Sequence, residues 1–286
     1  MGADDTGRYI CVHADKMMMK LIKFASALGA AAFAFWAFCT PIAVAAEPGV
    51  APVDGASRVS AKDLSYVGAF RLPEGGERPK TFAYGGNAMT FNPDGDPSGP
   101  RDDFPGSLFV TGHDRMPYGE LPDGTQVAEV SIPQPIMTKQ LNRLNRAGIL
   151  QRLHDVAKGR FHELSELPRV GLQYLKTPGT GAKVHIAWGQ HLEPEPSGPT
   201  HGWFEPNLTK PNFQGEWFIG NRSFYSVNGY MFAIPKVWAE RYGGGRVLAT
   251  GRFRDGGWSG MGPALIAYRP WRDAAGTPAP PGTRLE

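Results

Sequence analysis

The sequence predicts a mainly β fold, β-propeller-like and short of a closed ring, with one or two short helical insertions. Three observations predict it. Gly and Pro number 37 and 26 in a chain of 286 residues, with no Gly-X-Y period, a composition that suits many turns joining short elements. Short apolar segments, some strictly alternating, are bounded by Gly, Pro and Asp-Gly signals. Parts of one three-strand unit also recur along the chain, which is the signature of a repeat architecture, and four-stranded β units point to a propeller. A β-sandwich whose strands happen to look alike is the alternative.

The composition is 41% hydrophobic and 20% charged, an ordinary globular mix for one or two domains. The formal net charge is only +3. Lys and Arg are scattered, apart from a cluster over residues 139–160 that suits a solvated face. No nucleic-acid partner is expected from so weak a basic excess.

The elements begin with an export signal. From Met17 the chain reads as a positive n-region with Lys20 and Lys23, an apolar h-region over residues 28–38, and a small-x-small site at Ala43-Val44-Ala45 or Val44-Ala45-Ala46. Residues 17–46 are therefore expected to be a signal peptide, and the mature chain to be periplasmic or extracellular. A transmembrane anchor over residues 24–46 is the alternative. After cleavage no stable membrane span is expected. A lipid anchor on Cys39 is disfavoured by the bulky Trp36-Ala37-Phe38 before it. Residues 1–16 carry Asp4, Asp5 and Asp15 and read as an over-extended start. Cys11 and Cys39 are the two cysteines, and both precede the cleavage site. That excludes disulfides, thiol catalysis and Cys-ligated zinc from the mature chain. Its about 240 residues are enough for a core that holds by burial.

Residues 47–63 read as a Pro/Gly/Ala-rich linker, and residues 64–286 as the β-propeller-like domain. A strand is expected over residues 64–73, from the apolar and aromatic residues ahead of Pro73. Strands at 84–93, 107–113 and 126–133 form the first unit, with Asp94-Gly95 as a hairpin turn. In the last of them Val127, Glu129 and Ser131 alternate with Ala128, Val130 and Ile132, as a half-buried strand requires. The recurrences follow. Residues 217–221 resemble 108–112, residues 229–235 resemble 127–133, Leu248-Ala249-Thr250-Gly251 repeats the Gly-terminated strand, and residues 262–270 resemble 86–93. Gly112, Gly220 and Gly251 are thus expected at equivalent strand ends. A helix is expected over residues 138–147, followed by a strand at 149–153. A second helix is expected at 235–242, with Pro at its start and Gly243-Gly244-Gly245 past its end. Residues 262–270 look like the opening strand of a further unit, so the ring is expected to be truncated at its C-terminus or completed by self-association.

The segments Ala88-Met89-Thr90-Phe91-Asn92-Pro93-Asp94-Gly95, Ser107-Leu108-Phe109-Val110 and Gln126-Val127-Ala128-Glu129-Val130 together resemble an NHL or SMP-30-type propeller blade. The chain also resembles a group of exported bacterial proteins that open with a Tyr66-Val67-Gly68-Ala69-Phe70-Arg71-type strand and a Tyr84-Gly85-Gly86-type strand. The resemblance covers most of residues 64–271 and implies a fold and a compartment, not a reaction. A long insertion at 96–106 and the segment 137–158 depart from the blade pattern.

Propellers bind ligands where loops from several blades converge on the axis. The candidate ligand-binding residues are therefore those after the Gly-terminated strands: His113, Asp114 and Arg115, then Asn221 and Arg222, then Arg252 and Asp255. Together they suit an anionic or polyhydroxyl ligand through charge-assisted hydrogen bonds. Solvated turn residues are the alternative. The histidines at 113, 185, 191 and 201 match no metal-ligand spacing, and no metal is expected there. Asn92-Pro93-Asp94-Gly95-Asp96 opens like a calcium loop but lacks the closing Glu; a hairpin turn is the simpler reading, and no cofactor is specified. Ser226 and Ser259 lie outside any Gly-x-Ser-x-Gly, and the triple glycine at 243–245 is no P-loop. Trp188, Trp203, Phe204, Trp217, Tyr225, Trp258 and Trp271 offer sugar-stacking faces or core. Two function classes remain: a domain binding a small-molecule, carbohydrate or protein ligand, and a hydrolase or lyase acting on a sugar or ester through His113, Asp114, Arg222 and Arg252.

Overall fold

A computed structural model describes residues 59–77, 80–96, 104–113, 126–161, 164, 167, 170–189, 198–252, 260–273 and 275–286. The expected signal peptide, the over-extended start and most of the linker lie outside the described residues. Residues 59–66 belong to a separate unit from residues 67–286. They form one turn of 3-10 helix at Ala61–Asp63, closed by a capping box between Ser60 and Asp63, which satisfies two backbone donors at its start.

The rest is mainly β, with twelve strands in three sheets among the described residues. The first sheet is an antiparallel meander of β1 (Met89–Asn92), β2 (Ser107–Thr111), β3 (Val127–Ser131) and β4 (Ile149–His154). The second is a meander of β5 (Val170–Thr177), β6 (Gly181–Trp188), β7 (His201–Phe204) and β8 (Gln214–Ile219). The third orders β9 (Tyr230–Ala233), β10 (Leu248–Gly251) and β11 (Leu265–Tyr268), with helix α1 (Lys236–Arg241) between the first two. A two-residue strand, β12 (Arg284–Leu285), pairs parallel with the outer side of β8.

Side chains alternate across a strand, and the second sheet buries both of its faces. On one face Leu172, Tyr174, Val184, Ile186 and Phe204 meet Ala88, Phe109 and Val127 of the first sheet. On the other, Ala187, Trp203, Trp217 and Ile219 meet Met231, Leu248 and Tyr268 of the third. The three sheets are therefore stacked face to face, with the second in the middle.

The first strand of each sheet lies beside the first strand of the next, β1 against β5 and β5 against β9. The Tyr174 N–H donates to Thr90 Oγ1 at 2.7 Å, and the Tyr174 hydroxyl donates to Asp94 Oδ2 at 2.7 Å. Lys176 Nζ reaches the same oxygen at 2.7 Å, so β1 and β5 run in the same direction. Between β5 and β9 the backbones approach so closely that a Cβ on Gly171 would sit 2.7 Å from the carbonyl carbon of Tyr230. Only glycine fits there.

A buried carboxylate ties the first two sheets together. Glu129 accepts from Asn92 Nδ2 at 2.9 Å, Ser107 Oγ at 2.5 Å and Gln151 Nε2 at 2.6 Å. Gln151 in turn donates to Pro206 O at 2.8 Å and accepts from the Leu208 N–H at 2.9 Å, in the connection between β7 and β8.

Several expectations are corrected. Residues 64–73 form no strand; Ala69 and Arg71 make only isolated bridges to Ile136 and Arg146. Pro135, two prolines into that partner segment counting Pro133, has no N–H to extend a ladder. Within residues 138–147 the helix shrinks to a 3-10 turn at Leu141–Arg143, because the backbone after it bonds to Arg71 and not to a helical partner. Arg71 N–H donates to Asn145 O and Ala147 N–H to Arg71 O, both at 2.8 Å. The expected strand at 149–153 is β4. The helix after Pro235 forms as α1, and the Gly245 N–H closes its end on Ala239 O at 2.8 Å. The repeat is out of phase with its sequence matches. Residues 217–220 end a fourth strand, residues 230–233 form a first strand and residues 265–268 a third, whereas their sequence counterparts are second, third and first. Residues 262–270 are thus the close of a sheet, not the opening of another.

Candidate functional site

Since β1 and β5 run alike and each second strand is antiparallel to its first, the starts of the first strands and the ends of the second strands share one edge of the stack. The backbone is knitted there by similar bonds, one residue out of step, in the outer sheets. Gly86 N–H donates to Thr111 O at 2.8 Å, and Gly229 N–H donates to Gly251 O at 2.7 Å. Thr111 Oγ1 accepts from the Ala88 N–H at 3.1 Å, and Thr250 Oγ1 donates to Val227 O at 2.6 Å. In each case a Thr-Gly at the end of the second strand binds the segment that feeds the first. In the second sheet the matching position is Trp188-Gly189, at the end of β6. Gly112 and Gly189 thus each follow a second strand and Gly251 ends one. Gly220, expected in their place, ends β8, on the same edge but two strand spacings, roughly 10 Å, out from β6.

This edge gathers buried polar side chains. His113, Gln126, Asn228 and Arg252 are all buried. His113 follows Gly112, its N–H donates to Thr81 O at 2.9 Å, and its ring lies 5.5 Å from that of Tyr84. Arg252 follows Gly251 and donates from Nη1 to Gly260 O at 2.7 Å. Asn228 is 1% exposed, yet among the described residues neither its amide oxygen nor its amide nitrogen has a hydrogen-bond partner, and Oε1 of Gln126 has none either. Buried polar groups are nearly always paired. The unmatched amides leave donor and acceptor capacity at this edge for water or a small polar ligand.

Of the expected site residues, His113 and Arg252 take corresponding places at the ends of β2 and β10. Asn221 and Arg222 do not join them. They follow β8, where the Gly220 N–H donates to Leu285 O at 2.9 Å and Arg284 Nη1 donates to Gly220 O at 2.8 Å. Pairing with β12 thus places them at the outer margin. Asp114, Arg115, Asp255 and His191 lie outside the described residues. Asn228 and Gln126 were not legible as site residues. The available signal was Ala187-Trp188-Gly189, a third apolar-x-Gly strand end whose glycine packs on Asn228.

The remaining histidines sit elsewhere. His185 faces Trp203 across β6 and β7, and His201 faces Ala187, so both project from the same face of the second sheet toward the third. Burial pushes both imidazoles down to about 3, with the Lys183 charge adding to the effect at His185 and the His185 charge at His201. His201 Nδ1 is 2.7 Å from the Thr200 hydroxyl, and its ring meets Tyr268 edge-on at 5.1 Å. His185 packs edge-on against Trp271 at 6.1 Å. Among the described residues no three His, Cys, Asp or Glu side chains gather as a metal site. In the Asn92–Asp96 turn, Asn92 is taken up by Glu129 and Asp94 by Lys176 and Tyr174, which hold the Asp94 carboxyl below the usual carboxylate range.

No family model matches the chain, and no curated protein or solved structure matches it either. The likeness to NHL and SMP-30-type blades therefore rests on the motif over residues 88–130 alone.

Proposed function

We propose that the chain is an exported binding protein of the propeller type, in which each of the three sheets is a blade and the ligand sits where the second strands end. Three features support the propeller reading: two four-stranded meanders and a three-stranded one, face-to-face stacking of consecutive sheets, and first strands lying side by side. The observation that carries the binding reading is the collection of buried polar groups on a single edge, with the Asn228 amide and Gln126 Oε1 unmatched. Neutral amides with free donor and acceptor capacity suit the hydroxyls of a sugar or polyol. The export reading rests on residues 17–46, and N-terminal sequencing of secreted or periplasmic material should find Ala46 or Glu47 first.

A thermal-shift and calorimetric screen of neutral hexoses, N-acetylhexosamines and sugar acids tests the proposal. A ligand of the folded state raises the unfolding midpoint. The expected result is a shift with at least one neutral sugar that Asn228→Ala abolishes. Absence of any shift at millimolar sugar, or full binding by Asn228→Ala, refutes this reading.

A further inference from the structure

We infer that Tyr84 is the stacking platform of the binding edge, and that the ligand it takes is a pyranose ring with equatorial hydroxyls. The inference deepens the binding reading above and rests on it. Among the described residues, the non-glycine residues with positive φ are Tyr84, Asp96, Lys158, Asn212 and Glu216. Asn and Asp tolerate that backbone, whereas a bulky aromatic residue is strained in it. Tyr84 is the one aromatic residue in that set, at φ 55°. It is the third residue of a turn in which the Gly85 N–H donates to Phe82 O at 3.0 Å. Where φ is positive, that place usually goes to Gly or Asn. Burial does not account for the tyrosine. Its neighbour Phe82 packs against Val110 and Val130, but Tyr84 itself is 53% exposed. An unusual backbone kept without packing in return points to a ligand contact.

The end of β2 sets the position of this turn. The His113 N–H donates to Thr81 O at 2.9 Å, and the Gly86 N–H donates to Thr111 O at 2.8 Å. Between these two bonds Gly85 lies so close to the end of β2 that a Cβ there would fall 2.1 Å from Gly112 O. The turn is thus pinned on both sides, and its tip carries Tyr84 to the edge where the second strands end. The Tyr84 ring stands 5.5 Å from the His113 ring, tilted by 38°. On the next strand Gln126 O accepts from the Gly112 N–H at 2.7 Å. Gln126, whose Oε1 is unmatched among the described residues, therefore belongs to the same corner.

An exposed aromatic ring beside a few buried polar groups suits a sugar ring. The face of the tyrosine ring is negative, and the axial C–H groups on one face of a pyranose present a weakly positive surface to it. Equatorial hydroxyls leave that C–H face continuous and point outward from its rim, where an imidazole and an amide serve as hydrogen-bond partners. An open-chain polyol carries similar hydroxyls and has no such face.

Calorimetry and saturation-transfer NMR on the purified exported chain test the assignment, with methyl β-D-glucopyranoside as probe and sorbitol as the ring-free control. Wild type should bind the glucoside about tenfold or more tighter than sorbitol, with saturation strongest at the axial protons of one face. Tyr84→Phe should keep the affinity within about threefold, since the ring remains. Tyr84→Asn should weaken it by about tenfold or more. The same variant should unfold at an equal or higher urea midpoint, because asparagine relieves the backbone. A Tyr84→Asn chain that binds the glucoside as wild type does overturns the proposal. So does a clearly lower midpoint in that variant, which would make the tyrosine structural, and so does sorbitol binding as tight as that of the glucoside. Binding that Asn228→Ala abolishes and Tyr84→Asn leaves intact sinks the stacking and leaves the binding reading standing. No binding of the glucoside by wild type also sinks the stacking, and no response to any sugar of the wider screen sinks the binding reading with it.

Discussion

Gly189 packs directly on Asn228: a Cβ at position 189 would lie 2.7 Å from the Asn228 Cβ and 2.9 Å from its Cγ. The end of β6 and the segment that feeds β9 meet only because one of them has no side chain. Gly189→Ala is expected to force the amide or the backbone aside and to destabilise the chain by about 1–3 kcal/mol, read as a lower urea midpoint. Sugar binding should fall in the same variant. A midpoint equal to wild type would mean that the second and third sheets do not approach as described.

Glu129 provides the next test. Removing it leaves the buried donors of Asn92 and Ser107 without that acceptor and costs Gln151 one of its two N–H partners. Glu129→Ala is expected to cost about 3 kcal/mol or more, and Gln151→Ala about 1–2 kcal/mol, since it breaks the link to Pro206 and Leu208. Double-mutant analysis should show coupling between the two positions.

Thr90→Val probes the contact between first strands. The substitution keeps the shape and removes the acceptor for the Tyr174 N–H, so an expected loss of about 1–2 kcal/mol follows. Hydrogen exchange should find the Tyr174 amide less protected in the variant than in wild type.

The buried histidines predict a pH dependence with a definite sign. In the unfolded chain each imidazole titrates near 6.5, whereas in the folded chain His185 and His201 are pushed down to about 3. The unfolded state therefore binds protons that the folded state refuses. Stability is full above about pH 6.5 and falls as the pH drops toward 3, by up to about 1.4 kcal/mol per unit for each histidine. Urea midpoints at pH 7.5 and pH 5 should differ in that direction. His185→Phe should remove about half of the dependence, and an unchanged midpoint across this range would refute it.

Much of the chain was legible because its chemistry is local. Residues 127–131 form a strand, residues 92–95 turn, and Pro235 with Gly243 brackets a helix, so β3, that turn and α1 were legible. But β3 is buried from Val127 to Val130 and not half-buried as its alternation predicts, and β1 and β2 are joined by residues 93–106, not by a two-residue turn. The hairpin of β5 and β6 was not legible. Its sheet is covered on both faces, so Val184, Ile186 and Trp188 face one neighbour while Ala187 faces the other, and the apolar-polar alternation that marks a half-buried strand disappears. The candidate site divides the same way. His113 and Arg252 were found because each follows a Gly-ended strand. Asn228 was not, because nothing in Val227-Asn228-Gly229 shows that the backbone of another sheet closes over it. Asn221 was placed with them on a local match, Trp217 to Gly220, that cannot distinguish a second strand from a fourth. The sequence by itself determined where β3, β4, the turn at 92–95 and α1 fall. Only the tertiary structure decided which strand is innermost and which polar groups lose their water, because strand order and burial depend on contacts between residues far apart in the chain.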